Sequence, residues 1–231
     1  MLARATDAVE VLDRPVAPAD RDASLADVER LSAWFGGYAL SQRALEPTAP
    51  REPGRMWRVL DVGGGRGGFA RRLVARARRR HQPVRVFLVD RDPALLAAAR
   101  RDLAAYPEIV PVCADATALP FVRNAVDVAT AALTLHHLRP AGVVAALAEM
   151  RAAARMRVVV NDLLRTRLTL FLVSLATRVL ARHPISRHDG PLSVRRAYSP
   201  DELRILATQA GIPSLTVRRY RLLGRLIGVI S

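Results

Sequence analysis

The feature that constrains this chain most is a glycine-rich loop that joins an apolar run to a helical segment. The stretch VLDVGGGRGGF covers residues 59–69 and places Gly63, Gly65, Gly67 and Gly68 at this junction. Glycines there permit a tight turn and let a ligand approach the backbone amides at a helix N-terminus. Positions 63, 65 and 68 also match the G-x-G-x-x-G spacing of dinucleotide-binding loops. The loop therefore predicts a bound ligand, with a plain glycine-rich turn as the structural alternative.

Apolar runs and helical segments alternate regularly from residue 57 to residue 162. Strands are predicted at 58–63, 84–90, 109–115, 127–133 and 157–162, and helices at 68–80, 93–105 and 140–154. This alternation is typical of a parallel sheet with helices on both faces, and continuous apolar runs suit strands that are buried on both sides. We therefore expect an α/β fold with a doubly wound, mostly parallel, seven-stranded sheet. Its last two strands, LTVRRYRL and RLIGVI, are expected to form a terminal antiparallel hairpin.

The remaining segments suggest a cap and an insertion. Residues 1–53 are expected to form an N-terminal lead-in and helical cap, with residues 1–23 frayed and Ser24 beginning a helix. Residues 54–231 are expected to form the ligand-binding domain. The apolar helix LTLFLVSLATRVLA, residues 168–181, lies in a lid-like insertion of about residues 163–198. A core element or a dimer face are the alternatives for this helix.

Three acidic residues follow consecutive predicted strands. Asp61 stands two residues before the first loop glycine, Asp90 ends the second strand, and Asp115 ends the third. Open α/β sheets bind ligands at the carboxyl ends of their strands, where a carboxylate can accept both hydroxyls of a ribose. Each acid could also be an ordinary turn residue. Together with the loop, the three acids predict a nucleoside-containing ligand.

These four blocks, VLDVGGGRG, VFLVDRDP, CADATALPF and VDVATAALTLHHL, together resemble the class I S-adenosylmethionine-dependent methyltransferases of small-molecule type. The resemblance covers about residues 57–162 and implies a Rossmann-like methyltransferase fold that binds S-adenosylmethionine. It implies that Asp61, Gly63, Gly64, Gly65 and Ala132 lie near the methionine part of the cofactor. It also implies that Asp90, with the adjacent Arg91, binds the ribose, and that Asp115 and Ala116 bind the adenine.

The charges of this cofactor suit the acids of the loop region. S-adenosylmethionine carries a positive sulfonium and an ammonium, so that nearby carboxylates attract it. A nicotinamide-dependent enzyme would instead place a pyrophosphate at the helix N-terminus and would require a substrate domain, for which we expect no room in the chain. The sequence therefore favours S-adenosylmethionine over a dinucleotide.

Fewer residues are candidates for contact with the molecule that accepts the methyl group. His136 and His137 follow the fourth strand, and the position of His136 is similar to that of the general base of plant phenolic O-methyltransferases. A pocket wall or a helix cap is the alternative role for both histidines. Trp34, His188 and Tyr198 are weaker candidates for contact with the substrate.

We expect methyl transfer to a small hydrophobic, phenolic or polyketide-like acceptor, most readily at oxygen. The first alternative is a carbon methyltransferase of the quinone-biosynthesis type. The others are an RNA-modifying methyltransferase and a cofactor-binding protein without catalysis.

The composition limits the kinds of binding partner that we expect for this chain. All 36 basic residues are arginines, and with 21 acids they give a net charge of +15. The one dense basic run, at residues 76–80, has no interleaved aromatics and is interpreted as a solvated helix face, so no specific nucleic-acid partner is expected. A single cysteine argues against disulfides and a cysteine metal site, and no metal is expected. No apolar run is long enough to span a bilayer, although contact with a membrane surface stays open. We expect a cytoplasmic monomer or homodimer.

Overall fold

The computed structural model describes residues 2–231. Seven strands form one sheet: β1 (Trp57–Val62), β2 (Val84–Asp90), β3 (Ile109–Cys113), β4 (Val126–Ala132), β5 (Ala154–Leu163), β6 (Leu215–Tyr220) and β7 (Arg225–Ile230). Eight helices surround it: α1 (Pro18–Trp34), α2 (Gly37–Leu45), α3 (Gly68–Arg79), α4 (Pro93–Asp102), α5 (Pro140–Ala153), α6 (Arg167–Leu180), α7 (Pro184–Arg196) and α8 (Pro200–Gln209). Short 3₁₀ turns occupy residues 11–13, 46–48, 135–137 and 221–223.

The first strand in the chain, β1, lies in the interior of the sheet. The order is β3-β2-β1-β4-β5-β7-β6, in which β1 to β5 run parallel and β7 pairs antiparallel with both β5 and β6. The order reverses at β1, between β2 and β4, so that the crossover loops diverge there. The carboxyl ends of β1, β2, β4 and β5 consequently share one edge of the sheet, which predicts the ligand site.

Alternate residues of each strand point to opposite faces of the sheet and pack into two separate cores. On one face Val59 and Val86 pack with α2, α3 and α4, and on the other face Leu60 and Val160 pack with α5 and α8. This period of two within continuously apolar strands is what a sheet covered on both faces requires. Both cores consist of buried apolar side chains and hold the strands whose carboxyl ends form this edge.

The predicted fold class is confirmed. The five parallel strands and their three helices lie within a few residues of their predicted positions, and the terminal antiparallel hairpin is present. Ser199 and Glu202 form a capping box at the start of α8, where each side chain binds the other residue's backbone amide. Local patterns were sufficient for these elements because each is bounded by its own turn and capping residues.

Two expectations about the flanking segments were wrong. Residues 2–23 are not frayed, because residues 11–13 form a 3₁₀ turn, α1 begins at Pro18, and Ser24 lies buried inside that helix. Helix α7 was not predicted at all, and it contains Pro191 in its interior. Glycine and proline inside α7 hide the helical pattern from a reading of the sequence.

The dense arginine run lies at the end of α3, on the surface. Arg76 and Arg80 pair with Glu46 at 2.9 and 2.6 Å, and Arg78 pairs with Glu108 at 2.6 Å. Exposed pairs of this kind contribute little stability. Among the described residues, no helix has both the length and the apolar character needed to cross a membrane.

Candidate active site

A cavity of about 950 Å³ opens at the carboxyl ends of the central strands. The loop after β1 and the ends of β2 and β4 form one side of it, while α1, α6 and the residues before β7 form the other. Ligand pockets commonly measure about 300–1,000 Å³, so there is room for a nucleoside and a second small molecule. The two sides differ in chemistry, polar on the first and apolar on the second.

The loop after β1 is shaped to bring backbone close to a ligand. Gly63 and Gly65 have φ of +68° and +57°, a region that favours glycine. A side chain at Gly64 would collide with Leu88 and with the carboxylate of Asp61. A Cβ built on Gly65, in contrast, meets no atom within 4 Å, so open space lies above it.

Asp61 stands beneath this loop as a carboxylate without a counterion. It is 1% exposed, and among residues 2–231 its Oδ2 has no hydrogen-bond partner. Burial, together with the charge of Asp90, raises its pKa to about 7. A buried and unpaired carboxylate costs stability unless a ligand satisfies it. The site therefore suits a ligand that brings a positive charge to Asp61.

Asp90 and Asp115 line the same side of the cavity in different states. Asp90 braces the loop: its Oδ2 accepts the Gly65 amide at 3.1 Å, while burial raises the pKa of its carboxyl above the ordinary value. Asp115 is exposed, and its Oδ1 accepts the amide and hydroxyl of Thr117 at 2.8 and 2.6 Å, which lowers its pKa. Asp115 is therefore a turn residue, which was the alternative to ligand binding. Its Oδ2 takes no part in this turn.

A family model described as a methyltransferase domain matches residues 59–156, the span from the glycine loop to the start of β5. The matched residues therefore form a methyltransferase domain. No curated protein sequence gives a significant match to this methyltransferase.

Solved structures share the fold of the methyltransferase at low sequence identity. An S-adenosylmethionine-dependent methyltransferase from Aquifex aeolicus is 18% identical, with a TM-score of 0.57 over 82% of this chain and 87% of that one. The CMeT domain of the citrinin polyketide synthase is 14% identical, with a TM-score of 0.57 over 77% of this chain. The CurJ carbon methyltransferase is 15% identical, with a TM-score of 0.59 over 84% of this chain. The methyltransferase spans only 46% and 53% of the last two structures.

The residues present fit S-adenosylmethionine, which is the cofactor of this family. The unpaired carboxylate of Asp61 can receive the ammonium, and the open space at Gly65 admits a ligand against the backbone. The predicted cofactor residues at the strand ends all line the cavity: Asp61, Gly63, Gly64, Gly65, Asp90, Arg91, Asp115, Ala116 and Ala132. Which atom of the cofactor each of them contacts stays a prediction.

His136 lies beside this polar side, fixed by a carboxylate that the sequence did not single out. Leu133, with a φ of +56°, turns the chain after β4, and the imidazole follows in the 3₁₀ turn at 135–137. His136 Nδ1 lies 2.7 Å from Asp162 Oδ1 at the end of β5, and its backbone amide donates to Asp162 Oδ2 at 3.2 Å. Although burial alone would raise it, the pKa of Asp162 is lowered by the charge and hydrogen bond of His136. The carboxylate favours the Nδ1–H tautomer and leaves Nε2 free to accept a proton.

The N-terminal segment covers the histidines, which the sequence did not predict. Glu10 is 2% exposed, and its Oε1 lies 3.8 Å from His136 Nε2 and 3.4 Å from Arg196 Nη1. His137 Nδ1 lies 2.8 Å from Asp13 Oδ1, and Asp13 also pairs with Arg196. Burial raises the pKa of Glu10 despite the opposing charges of His137 and Arg196. The only sequence signal was a pair of acids in a segment of no clear periodicity.

This cluster has donor atoms that a metal ion could use. One ligand atom each from Glu10, His136 and His137 lie within 4.8 Å of one another. However, the guanidinium of Arg196 already supplies positive charge to both Glu10 and Asp13. A second cation beside it would be repelled.

The apolar side of the cavity comes from α1, α6 and the turn at 221–223. Leu25, Val28 and Leu31 of α1, and Phe35 just after it, line the cavity, while the buried residues of this helix are Ser24, Asp27 and Ser32. The apolar stripe of α1 therefore faces a binding space, and its polar stripe packs on protein. Asp27 can be buried because its Oδ2 accepts the amides of Arg182 and His183, each at 2.8 Å.

The three residues predicted to contact substrate do not line the cavity, and this expectation is corrected. Trp34 is 61% exposed on the outer surface, with Arg30 near its ring. His188 faces solvent and pairs with Asp189 at 2.8 Å. Tyr198 is buried elsewhere, and its hydroxyl donates to the carbonyl of Leu138 at 2.8 Å. Sequence proximity to the site did not reveal which way these side chains turn.

Proposed function

We propose that this methyltransferase methylates a hydroxyl oxygen of a small hydrophobic acceptor, of phenolic or polyketide-like type, with His136 as the general base. The observation that carries the proposal is the Asp162–His136 pair at the edge of a cavity with one apolar side. S-adenosylmethionine, when bound, supplies an electrophilic methyl group carried on a sulfonium.

The different roles that we propose for His136 and His137 follow from their contacts. His136 Nε2 takes the proton of the acceptor hydroxyl, and Asp162 stabilises the imidazolium that forms. His137 shares its Nδ1 with Asp13, so its proposed role is to hold the N-terminal segment over the site. The apolar residues of α1 and α6 exclude water from the reacting oxygen and bind the body of the acceptor.

Carbon methylation is the second candidate, favoured by the likeness to the CMeT domain and to the CurJ carbon methyltransferase. His136 would then remove a proton from an activated carbon. The two candidates differ in the acceptors that would be methylated, so a panel of phenols beside β-dicarbonyl compounds distinguishes them.

The test compares His136→Ala with His137→Ala in single-turnover methyl transfer across phenols of graded acidity. We expect His136→Ala to lower the rate by roughly 10²–10⁴ for weakly acidic phenols and much less for phenols that ionise unaided. S-adenosylhomocysteine affinity, measured by calorimetry, should stay nearly unchanged. His137→Ala should lower the rate less.

The dependence on phenol acidity decides the role of His136. If parent and His136→Ala show the same dependence, His136 is not the base and only forms a wall of the cavity. Methylation of β-dicarbonyl compounds alone would replace the oxygen proposal by the carbon one.

A further inference from the structure

Exposed apolar side chains are concentrated on one face of the molecule. Eight of the twelve large apolar residues that are exposed among residues 2–231 come from three segments, the end of α1, α6 and the turn at 221–223. These eight, called the α6 face below, are Trp34, Phe35, Leu168, Phe171, Leu175, Val179, Leu222 and Leu223. Soluble proteins rarely expose a large contiguous apolar patch without a binding function.

The three segments meet at the mouth of the cavity. Arg30 of α1 donates to the carbonyl of Leu180 at the end of α6, at 3.4 Å. A Cβ built on Gly36, just after α1, would lie 3.6 Å from Leu223 Cδ1, and α6 packs against the turn at 221–223. Five of the eight residues also line the cavity: Phe35, Leu175, Val179, Leu222 and Leu223. The α6 face is therefore continuous with the apolar side of the active site.

Helix α6 is amphipathic in an unusual sense. Thr169 and Thr177 are its buried residues: Thr177 lies next to Gly190 of α7, and Thr169 lies next to Gly224 in the turn before β7. Leu168, Phe171, Leu175 and Val179 recur every three or four residues on the other side, with Phe171 63% and Val179 68% exposed. The most apolar stripe of the helix thus points to the outside of the protein.

Positive charge accompanies this stripe. Arg167, Arg178, Arg182 and Arg221 are exposed next to it, and none of them pairs with a carboxylate among the described residues. The sequence contains no acidic residue from 163 to 188 or from 203 to 231. An apolar helix face flanked by arginines has the character of a helix that lies in the headgroup region of an anionic membrane.

A second copy of this chain is a poorer occupant. A twofold interface brings the same surface of both copies together. The arginines beside α6 would then approach their own copies, and those segments provide no acid to pair with them. Burying like charges without partners is unfavourable. Anionic phospholipid headgroups, in contrast, complement the arginines, and the acyl region accepts Phe171 and Leu168.

We propose that the α6 face docks on the surface of an anionic phospholipid bilayer. Docking places the mouth of the cavity against the membrane. In a consequence that rests on the proposed function, a lipophilic acceptor would enter the site from the bilayer.

The test is sedimentation of the protein with phosphatidylcholine vesicles that contain, or lack, about 30% phosphatidylglycerol. We expect the parent to bind only the anionic vesicles. The double variant Leu168→Ser/Phe171→Ser should bind them at least about tenfold more weakly, because both side chains are exposed in the free protein and would be inserted in the bound one. The triple variant Arg167→Gln/Arg178→Gln/Arg182→Gln should lose binding to a similar extent.

Matched controls separate this face from general basicity. Arg79, Arg100 and Arg101 are exposed at the C-terminal ends of α3 and α4, at the opposite edge of the sheet, so Arg79→Gln/Arg100→Gln/Arg101→Gln removes the same charge elsewhere. Val122→Ser is the apolar control, since Val122 is 79% exposed before β4. Both controls should bind vesicles like the parent. Equal losses in control and α6-face variants, or no vesicle binding by the parent, would overturn the proposal.

Fluorescence supplies a second readout that needs no catalysis. Trp34 belongs to the α6 face, whereas Trp57, the other tryptophan, is 5% exposed. Vesicle binding should shift the emission to the blue, and Trp34→Phe should abolish the shift. A concentration-dependent dimer that Leu168→Ser/Phe171→Ser abolishes, without vesicle binding, would assign the face to a second copy. Neither readout involves methyl transfer. Docking can therefore fail while the proposed function holds, and docking can hold while the proposed function fails.

Discussion

The two sides of the cavity are built by different means. The side predicted to bind the cofactor, called the cofactor side, comes from residues 61–132, in which backbone amides and carboxylates lie at the ends of neighbouring parallel strands. The acceptor side comes from segments separated by up to about 200 residues, and it is made of apolar side chains together with the His136 cluster. We propose that the first side binds the charged cofactor through local geometry, and that the second binds the acceptor through surfaces that only folding brings together.

Among substitutions that test the difference between the two sides, we expect the largest effect from a change at Asp90, measured as cofactor affinity. Asp90→Ala removes a carboxylate predicted to accept the ribose hydroxyls and also frees the Gly65 amide that it braces. S-adenosylhomocysteine binding should weaken by about 1–3 kcal/mol, or roughly 5- to 150-fold. Calorimetry measures it, with Asp102→Ala as the control, since Asp102 pairs with Arg66 on the surface. Unchanged affinity would mean that the cofactor side does not depend on this strand-end acid.

A smaller effect is expected from protonation of Asp61. Its pKa of about 7 means that the carboxylate is mostly charged at pH 8 and mostly neutral at pH 6. Because only the charged form attracts the ammonium, affinity for S-adenosylhomocysteine should fall by about tenfold as the pH drops over this range. Asp61→Asn should bind weakly at both pH values. A parent whose affinity does not change with pH would contradict the assignment of Asp61 to the ammonium.

The smallest effect concerns the acceptor side. Leu31 lines the cavity, so Leu31→Ala should cost less than about 1 kcal/mol in the free energy of unfolding while raising the KM for the acceptor a few-fold. Leu73→Ala, at a fully buried core position of α3, should cost about 2–5 kcal/mol and leave that KM unchanged. Denaturant unfolding and steady-state kinetics measure the two quantities. Similar losses of stability in both variants would show that α1 packs as core after all.

The grouping of the predicted cofactor residues around one cavity could be predicted because its determinants are local. The glycines, Asp61 and Asp90 each lie where a strand ends, and parallel strands around the reversal at β1 bring their carboxyl ends together. The position of His136 at this edge could be predicted for the same reason, since it follows β4 directly. Its partner Asp162 ends β5, which lies next to β4, so the same rule would have found it.

The acceptor side was predicted less well because a helical pattern does not say what its apolar stripe faces. Leu25, Val28 and Leu31 have the spacing of a core stripe, yet they face a cavity, while Asp27 is buried because two backbone amides satisfy it. Glu10 could not be predicted, since its position depends on contacts with residues more than 100 positions away. Trp34 was predicted on the right helix but on the wrong side of it.

The sequence by itself determined the sheet, its two cores and the edge of the sheet at which the predicted cofactor residues line a cavity, because periodicity, strand-end acids and glycine geometry act over a few residues. Only the tertiary structure decided what covers the histidines and which apolar surfaces stay open. Those outcomes depend on how α1, α6 and the N-terminal segment pack against one another, and packing is settled by shape and by the pairing of buried polar groups over long distances in the chain.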